Sequence, residues 1–125
     1  MAAAKKAVKD IMTKGAKLVT CGPKEKVADA MALMVAKKVS GLPVVDEAGK
    51  VVGVISEADV LQARKTASVK SAMTADPITI CPESSIKDAA ELLAGKKIKR
   101  ALILKEDGSL AGVVSRTDVI KAMLA

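Results

Sequence analysis

Two segments place a hydroxyl and a carboxylate three residues apart where an apolar strand pattern gives way to a helix pattern. They are Ser56-Glu57-Ala58-Asp59 after Gly53-Val54-Ile55, and Ser115-Arg116-Thr117-Asp118 after Gly112-Val113-Val114. Two kinds of chemistry use that spacing. In one, Ser56 and Ser115 are helix N-caps whose hydroxyls accept from first-turn amides, and Asp59 and Asp118 reach back as capping boxes. In the other, exposed amides and the positive end of the helix dipole attract an anion, while each carboxylate accepts hydrogen bonds from vicinal hydroxyls. A ribose carrying a phosphate meets both needs. The two readings are compatible, because the Ser can cap while the Asp turns toward a ligand.

Absent residue types narrow the alternatives. The 125 residues include no His, Phe, Tyr or Trp, and no Asn. Without imidazole there is no general base poised near neutral pH, no Ser-His or Cys-His nucleophile pair and no imidazole zinc ligand, so neither an enzyme nor a metal site is expected. The net charge of +7 has no aromatic ring on which to stack bases. Its lysines are spread over the chain with no basic helix face, which argues against a nucleic-acid partner. Apolar runs such as Val51-Val52-Gly53-Val54-Ile55 fall far short of the roughly 18 residues of a spanning helix. The start, Met1 to Asp10, lacks an apolar h-region, and two cysteines are too few for a disulfide framework. A cytoplasmic location is the expectation.

The elements that must hold the two Ser-x-x-Asp segments are duplicated. Val39 through Val60 aligns without a gap on Ile98 through Val119, 59 positions later, so that Gly49 meets Gly108, Gly53 meets Gly112, Ser56 meets Ser115 and Asp59 meets Asp118. Upstream, Val27, Ala30, Met31, Met34 and Val35 map onto Ile86, Ala89, Ala90, Leu93 and Ala94. Both sets follow the i, i+3, i+4, i+7, i+8 spacing of an amphipathic helix. Each unit reads strand, helix, strand, strand, helix. The first strand is expected at Leu18 to Thr20 and Ile78 to Ile80, and the helix at 25–37 and 84–94, with Gly95 as the stop of the second. Hairpins are expected around Glu47-Ala48-Gly49 and Glu106-Asp107-Gly108-Ser109, with a short polar linker at 65–70. The strands are apolar on both faces, which calls for helical cover on both sides. A 60-residue unit buries proportionally little surface alone, so the repeats are expected to fold as a pseudo-twofold pair. The fold class is α/β, of the α+β type, with a first repeat at 1–66 and a second at 67–125.

At this level the sequence resembles a tandem pair of cystathionine beta-synthase (CBS) domains, over about residues 8 to 124. The resemblance rests on Val8-Lys9-Asp10-Ile11-Met12-Thr13 and its partner Val69-Lys70-Ser71-Ala72-Met73-Thr74. It also rests on Ser40-Gly41-Leu42-Pro43-Val44-Val45-Asp46 and the paired Gly-x-x-Ser-x-x-Asp endings. It implies two sheets packed through a pseudo-twofold axis, with clefts for adenosine compounds such as AMP, ADP, ATP or S-adenosylmethionine. It also implies a homodimer forming a flat disc of four units. Carried over residue by residue, Asp59 and Asp118 would hold ribose hydroxyls, and Ser56, Ser115 and Thr117 would lie near phosphate. Backbone around Ser40, Gly41, Leu42 and Pro43 would frame adenine. The second repeat departs from the family pattern there, with Lys99-Arg100-Ala101-Leu102 beside the Asp118 site. By the same family analogy the departure would help the other cleft, since basic groups at this position of one repeat would face phosphate bound beside its partner, with Arg100 as the better clamp and Lys99 as a point charge.

The other polar features have ordinary explanations. Lys96 and Lys97 sit near a helix C-terminus, where cations relieve unpaired carbonyls, as do Lys37 and Lys38. Cys21 and Cys81 read as small hydrophobes, and Met31 and Met34 as packing residues. Asp46 and Glu47 read as turn chemistry. The chain is therefore read as a non-catalytic regulatory module for an adenosine ligand. The competing reading is a structural dimerisation module whose caps bind nothing.

Overall fold

The computed structural model describes residues 7–125; residues 1–6, which the sequence reading assigns to the first repeat, lie outside the described part. The chain divides into two compact units, Val19–Pro77 on the one hand and residues up to Leu18 together with Ile78–Ala125 on the other.

The Val19–Pro77 unit contains helix α1 (Val27–Lys37), strands β1 (Gly41–Val45) and β2 (Val51–Ser56), helix α2 (Glu57–Gln62) and the single turn α3 (Val69–Ala72). The strands pair antiparallel from Gly41 opposite Ser56 to Val45 opposite Val51. Asp46 closes the hairpin, its Oδ1 accepting from the amides of Ala48 and Lys50 at 2.9 Å each, while Gly49 takes the left-handed conformation at φ +84°. Leu42, Val44 and Ile55 are wholly buried with Val27, Ala30 and Val69, so most of the apolar stripe of α1 meets the hairpin, but Val35, which the spacing puts on the same stripe, is 80% exposed. The strand expected at Leu18 to Thr20 is absent. A single parallel bridge between Cys21 and Val44 replaces it, and Pro23, which has no amide to donate, follows two residues later. The stretch 65–70 is not a free linker either. Its carbonyls at Ala67 and Lys65 accept from the amides of Val27 and Ala28 at 2.8 and 3.0 Å, satisfying helix-start donors for which Lys26 offers no side-chain acceptor.

The other unit has 3-10 turns at Val8–Asp10 and Gly15–Lys17, strand β3 (Thr79–Ile80), helix α4 (Ile86–Gly95), strands β4 (Arg100–Leu104) and β5 (Leu110–Ser115), and helix α5 (Arg116–Leu124). Its sheet runs β3-β4-β5, with β3 parallel and β5 antiparallel to β4. Arg100 opposite Ser115 repeats the register of Gly41 opposite Ser56. The Ser85 hydroxyl caps α4 by accepting from the Asp88 amide at 3.0 Å. Gly95 ends this helix, one residue beyond the expected bound, but without the left-handed conformation that glycine favours at a helix end. The left-handed position falls on Lys97 at φ 54°, matched by Lys38 at 56° after α1.

The two units and the two sequence repeats are different divisions of the chain. The opening Val8–Thr13 folds onto the body of the second repeat: the amides of Val8 and Lys9 donate to Ser84 and Pro82 carbonyls at 2.9 and 3.1 Å, and Thr13 pairs with Val113 in both directions at 2.8 and 3.0 Å. Val69 and Lys70 donate in the same way to Glu25 and Pro23 at 2.7 and 3.0 Å, and Thr74 pairs with Val54. Glycine permits both closures. A methyl group on Gly112 would lie 2.7 Å from the Thr13 carbonyl oxygen, and one on Gly53 would lie 2.7 Å from that of Thr74.

Candidate functional site

Where β2 runs into α2, the Ser56 amide donates to Asp59 Oδ2 at 2.9 Å and the Asp59 amide donates to Ser56 Oγ at 3.2 Å. The capping box is complete. The Glu57 amide donates to the Ser40 carbonyl at 3.1 Å, and Gly41 sits opposite Ser56 in the sheet. The hairpin register thus brings Ser40, Gly41, Ser56 and Asp59 together. Leu42 and Pro43 are buried, so they have only backbone to offer a ligand.

The second helix start repeats this geometry. The Ser115 amide donates to Asp118 Oδ2 at 2.9 Å, the Asp118 amide to Ser115 Oγ at 3.1 Å, and the Arg116 amide to the Lys99 carbonyl at 3.0 Å. Lys99, Arg100 and Thr117 are exposed around it, while the Ala101 side chain is buried. One residue missed by the sequence reading belongs to this cluster. The Arg116 guanidinium donates through Nε to the Ile98 carbonyl at 2.7 Å and through Nη2 to that of Leu93 at 3.4 Å. Its sequence signal was a cation at the first position of a helix, where the dipole disfavours positive charge.

Capping has its full geometry at both sites, yet it occupies only one carboxylate oxygen of each Asp. Among the described residues, no partner is found for Oδ1 of Asp59 or Asp118, nor an acceptor for the first-turn amides of Ala58 and Thr117. Both carboxylates are half-buried. Each start therefore combines an acceptor for hydroxyl donors with a donor for an anion.

Elsewhere the chemistry is sparse. No group of three or more Cys, Asp or Glu side chains that could hold a metal is found among the described residues. A depression along α4, lined by Asp88, Glu91, Leu92, Gly95 and Lys96, includes none of the residues above. Burial, with the Glu25 charge as a smaller cause, pushes the Cys21 thiol up to about 11. Cys81, expected with Cys21 as a small buried hydrophobe, is instead exposed, with a free thiol. Among the described residues, no helix is long and apolar enough to cross a membrane.

Comparison with known proteins agrees with this architecture. The family model for the CBS domain matches twice, at residues 8–66 and 69–125. An inosine-5'-monophosphate dehydrogenase of Korarchaeum cryptofilum is 37% identical over 103 residues, covering 82% of this chain and 21% of that enzyme. The chloroplastic CBSX2 of Arabidopsis thaliana is 31% identical over 150 residues, covering 94% of this chain and 63% of CBSX2. The chain thus spans about a fifth of the one relative and under two thirds of the other. The crystal structure of CBSX2 in complex with AMP superposes with a TM-score of 0.88 at 34% identity, covering 94% of this chain and 96% of that one. The CBS domain of the bacterial CNNM/CorC Mg2+ transporter family in complex with ATP gives 0.82 at 26% identity, covering 94% and 87%. Two matches in tandem, each carrying its own hairpin and capped helix start, show that this chain belongs to the CBS domain family as a pair of repeats.

Proposed function

We propose that the chain is a non-catalytic regulatory module that binds an adenosine-containing ligand: AMP, ADP, ATP or S-adenosylmethionine. The observation that carries this reading is the Oδ1 of Asp59 and of Asp118, each without a partner among the described residues and each beside a first-turn amide that has no acceptor among them. In it, Asp59 and Asp118 accept from ribose hydroxyls, and Ser56, Ser115 and Thr117 lie near phosphate. Backbone from Ser40 to Pro43, and its counterpart Lys99-Arg100-Ala101, borders the base. Lys99 and Arg100 supply charge to phosphate. The AMP complex of CBSX2 and the ATP complex of the transporter domain support the ligand class. The ligand acts through its differential affinity for two states of the repeat pair.

Asp59→Asn tests this cleanly. The amide keeps one oxygen for the Ser56 cap but has no second one for ribose. Melting temperature should hold, while calorimetric affinity for AMP or ATP falls about tenfold or more, the worth of a hydrogen bond to a charged group. Unchanged affinity would remove Asp59 from the site.

The second reading, a structural dimerisation module, is favoured by the completeness of both capping boxes. Dimerisation itself is compatible with either, and we propose a homodimer of four repeats. Its support is the exposure of Val35 and Leu61 in one unit and of Ile120, Met123 and Leu124 on α5. Sedimentation equilibrium decides it, a monomer at all concentrations being the contrary result. The free thiols Cys21 and Cys81 fit a reducing compartment, and the cytoplasm is our proposal, although CBSX2 is chloroplastic.

A further inference from the structure

The charge of the molecule is unevenly divided. Residues 7–18 with 78–125 hold 11 Lys and Arg against 7 Asp and Glu, a net +4, whereas residues 19–77 hold 8 against 7, a net +1. The densest part of the basic unit is the turn from α4 to β4, with Lys96, Lys97, Lys99 and Arg100 all exposed. Like charges in one short turn repel one another, and exposed lysines lose rotamer freedom when they are held. Something must fix the backbone that carries them.

From Arg116 we infer a positioning residue for this turn. Three donors of that one residue converge on it: the backbone amide on the Lys99 carbonyl at 3.0 Å, Nε on Ile98 at 2.7 Å and Nη2 on Leu93 at 3.4 Å. These carbonyls lie on both sides of the left-handed Lys97 at φ 54°. The fork of the guanidinium spans the end of α4 and the entry to β4, which a single ammonium group does not match. Among the described residues the first repeat shows no such clamp. Its equivalent residue is Glu57, an acceptor-only side chain, of which only the backbone amide reaches across, to Ser40 at 3.1 Å. Arg116 thus ties the basic turn to the helix start that carries Asp118, and the second repeat differs from the first by a charged turn together with the residue that orders it. Resting on the nucleotide reading, the inference assigns Arg116 to phosphate selectivity through Lys99 and Arg100 rather than through ligand contact.

The test is a double-mutant cycle read by calorimetry with ATP and with adenosine, which has no phosphate. Arg116→Ala should lower ATP affinity about tenfold and adenosine affinity less than twofold. In a chain already carrying Lys99→Ala and Arg100→Ala, the same change should have no further effect on ATP. Arg116→Lys should fail to rescue, and amide exchange at 96–100 without ligand should accelerate in Arg116→Ala. An equal loss on adenosine, an additive cycle, rescue by Lys or unchanged exchange would each overturn the assignment. Binding of neither ligand by the unaltered chain would instead overturn the nucleotide reading on which it rests.

Discussion

Replacing Gly112 by alanine probes the exchange of openings between the repeats. The added methyl carbon would lie 2.5 Å from Met12 Sδ and 2.7 Å from the Thr13 carbonyl oxygen. Normal carbon contacts lie at about 3.5 Å or beyond, so the opening segment must retreat by roughly 0.8 Å or more. Methionine can swing aside, but the Thr13 carbonyl is backbone and is bonded to the Val113 amide at 3.0 Å, with its own amide on the Val113 carbonyl at 2.8 Å. That retreat stretches both bonds toward breaking. Two backbone hydrogen bonds at about 1 kcal/mol each give a loss of about 2 kcal/mol, within the usual range for overpacking. For a domain of this size that lowers Tm by about 8 °C. Circular dichroism melting of three variants is the assay: Gly112→Ala, Gly53→Ala, which meets Thr74 at 2.7 Å, and Gly95→Ala, which meets nothing within 4 Å. Gly95→Ala should be neutral or stabilising by up to about 1 kcal/mol, since alanine is the better helix former. Adding Met12→Ala to Gly112→Ala should restore only part of the loss. A Gly112→Ala chain that melts with the parent would refute the placement of Thr13 over Gly112.

Val8 is wholly buried with Ile103 and Val114, so Val8→Ala should cost about 1–3 kcal/mol. Hydrogen exchange should accelerate first at 100–115 rather than at 41–56; the reverse order would place the opening on the first repeat. Lys38 and Lys97 hold φ 56° and 54°, where glycine is unstrained. Lys38→Gly and Lys97→Gly should each stabilise by up to about 1 kcal/mol in chemical denaturation, and a loss would contradict the helix-end geometry. The Cys21 thiol is raised from 9.0 to about 11, so the fold favours its neutral form. The stability this gives is complete below pH 9 and is lost as pH rises through about 11. Denaturation curves for the parent should show an extra fall of about 2–3 kcal/mol over that window relative to Cys21→Ala.

Much of this architecture is written in local patterns. The 59-residue offset carries the hairpin registers with it, Gly41 opposite Ser56 and Arg100 opposite Ser115. Ser-x-x-Asp spells the capping boxes because both partners lie within one helical turn. What was illegible depends on contacts between distant segments. Val8-to-Thr13 and Val69-to-Thr74 offer nearly the same donors and apolar groups, so sequence cannot say which body each closes. Only the connecting chain distinguishes them. Arg116 was missed for a related reason: its acceptors, Leu93 and Ile98, lie 23 and 18 residues away. Gly95 marked the end of α4 in the sequence, but the left-handed turn that follows falls on Lys97, a residue type that gives no such signal.

The absence of Trp and Tyr leaves this protein nearly transparent at the wavelengths where adenine absorbs, so nucleotide uptake is directly visible. The decisive measurement is gel filtration of the chain equilibrated in turn with AMP, ADP, ATP and S-adenosylmethionine, monitored at about 260 nm. Our account predicts adenine absorbance travelling with the protein for at least one of them, saturating at a fixed ratio to chain. A protein peak that stays transparent with all four would contradict it.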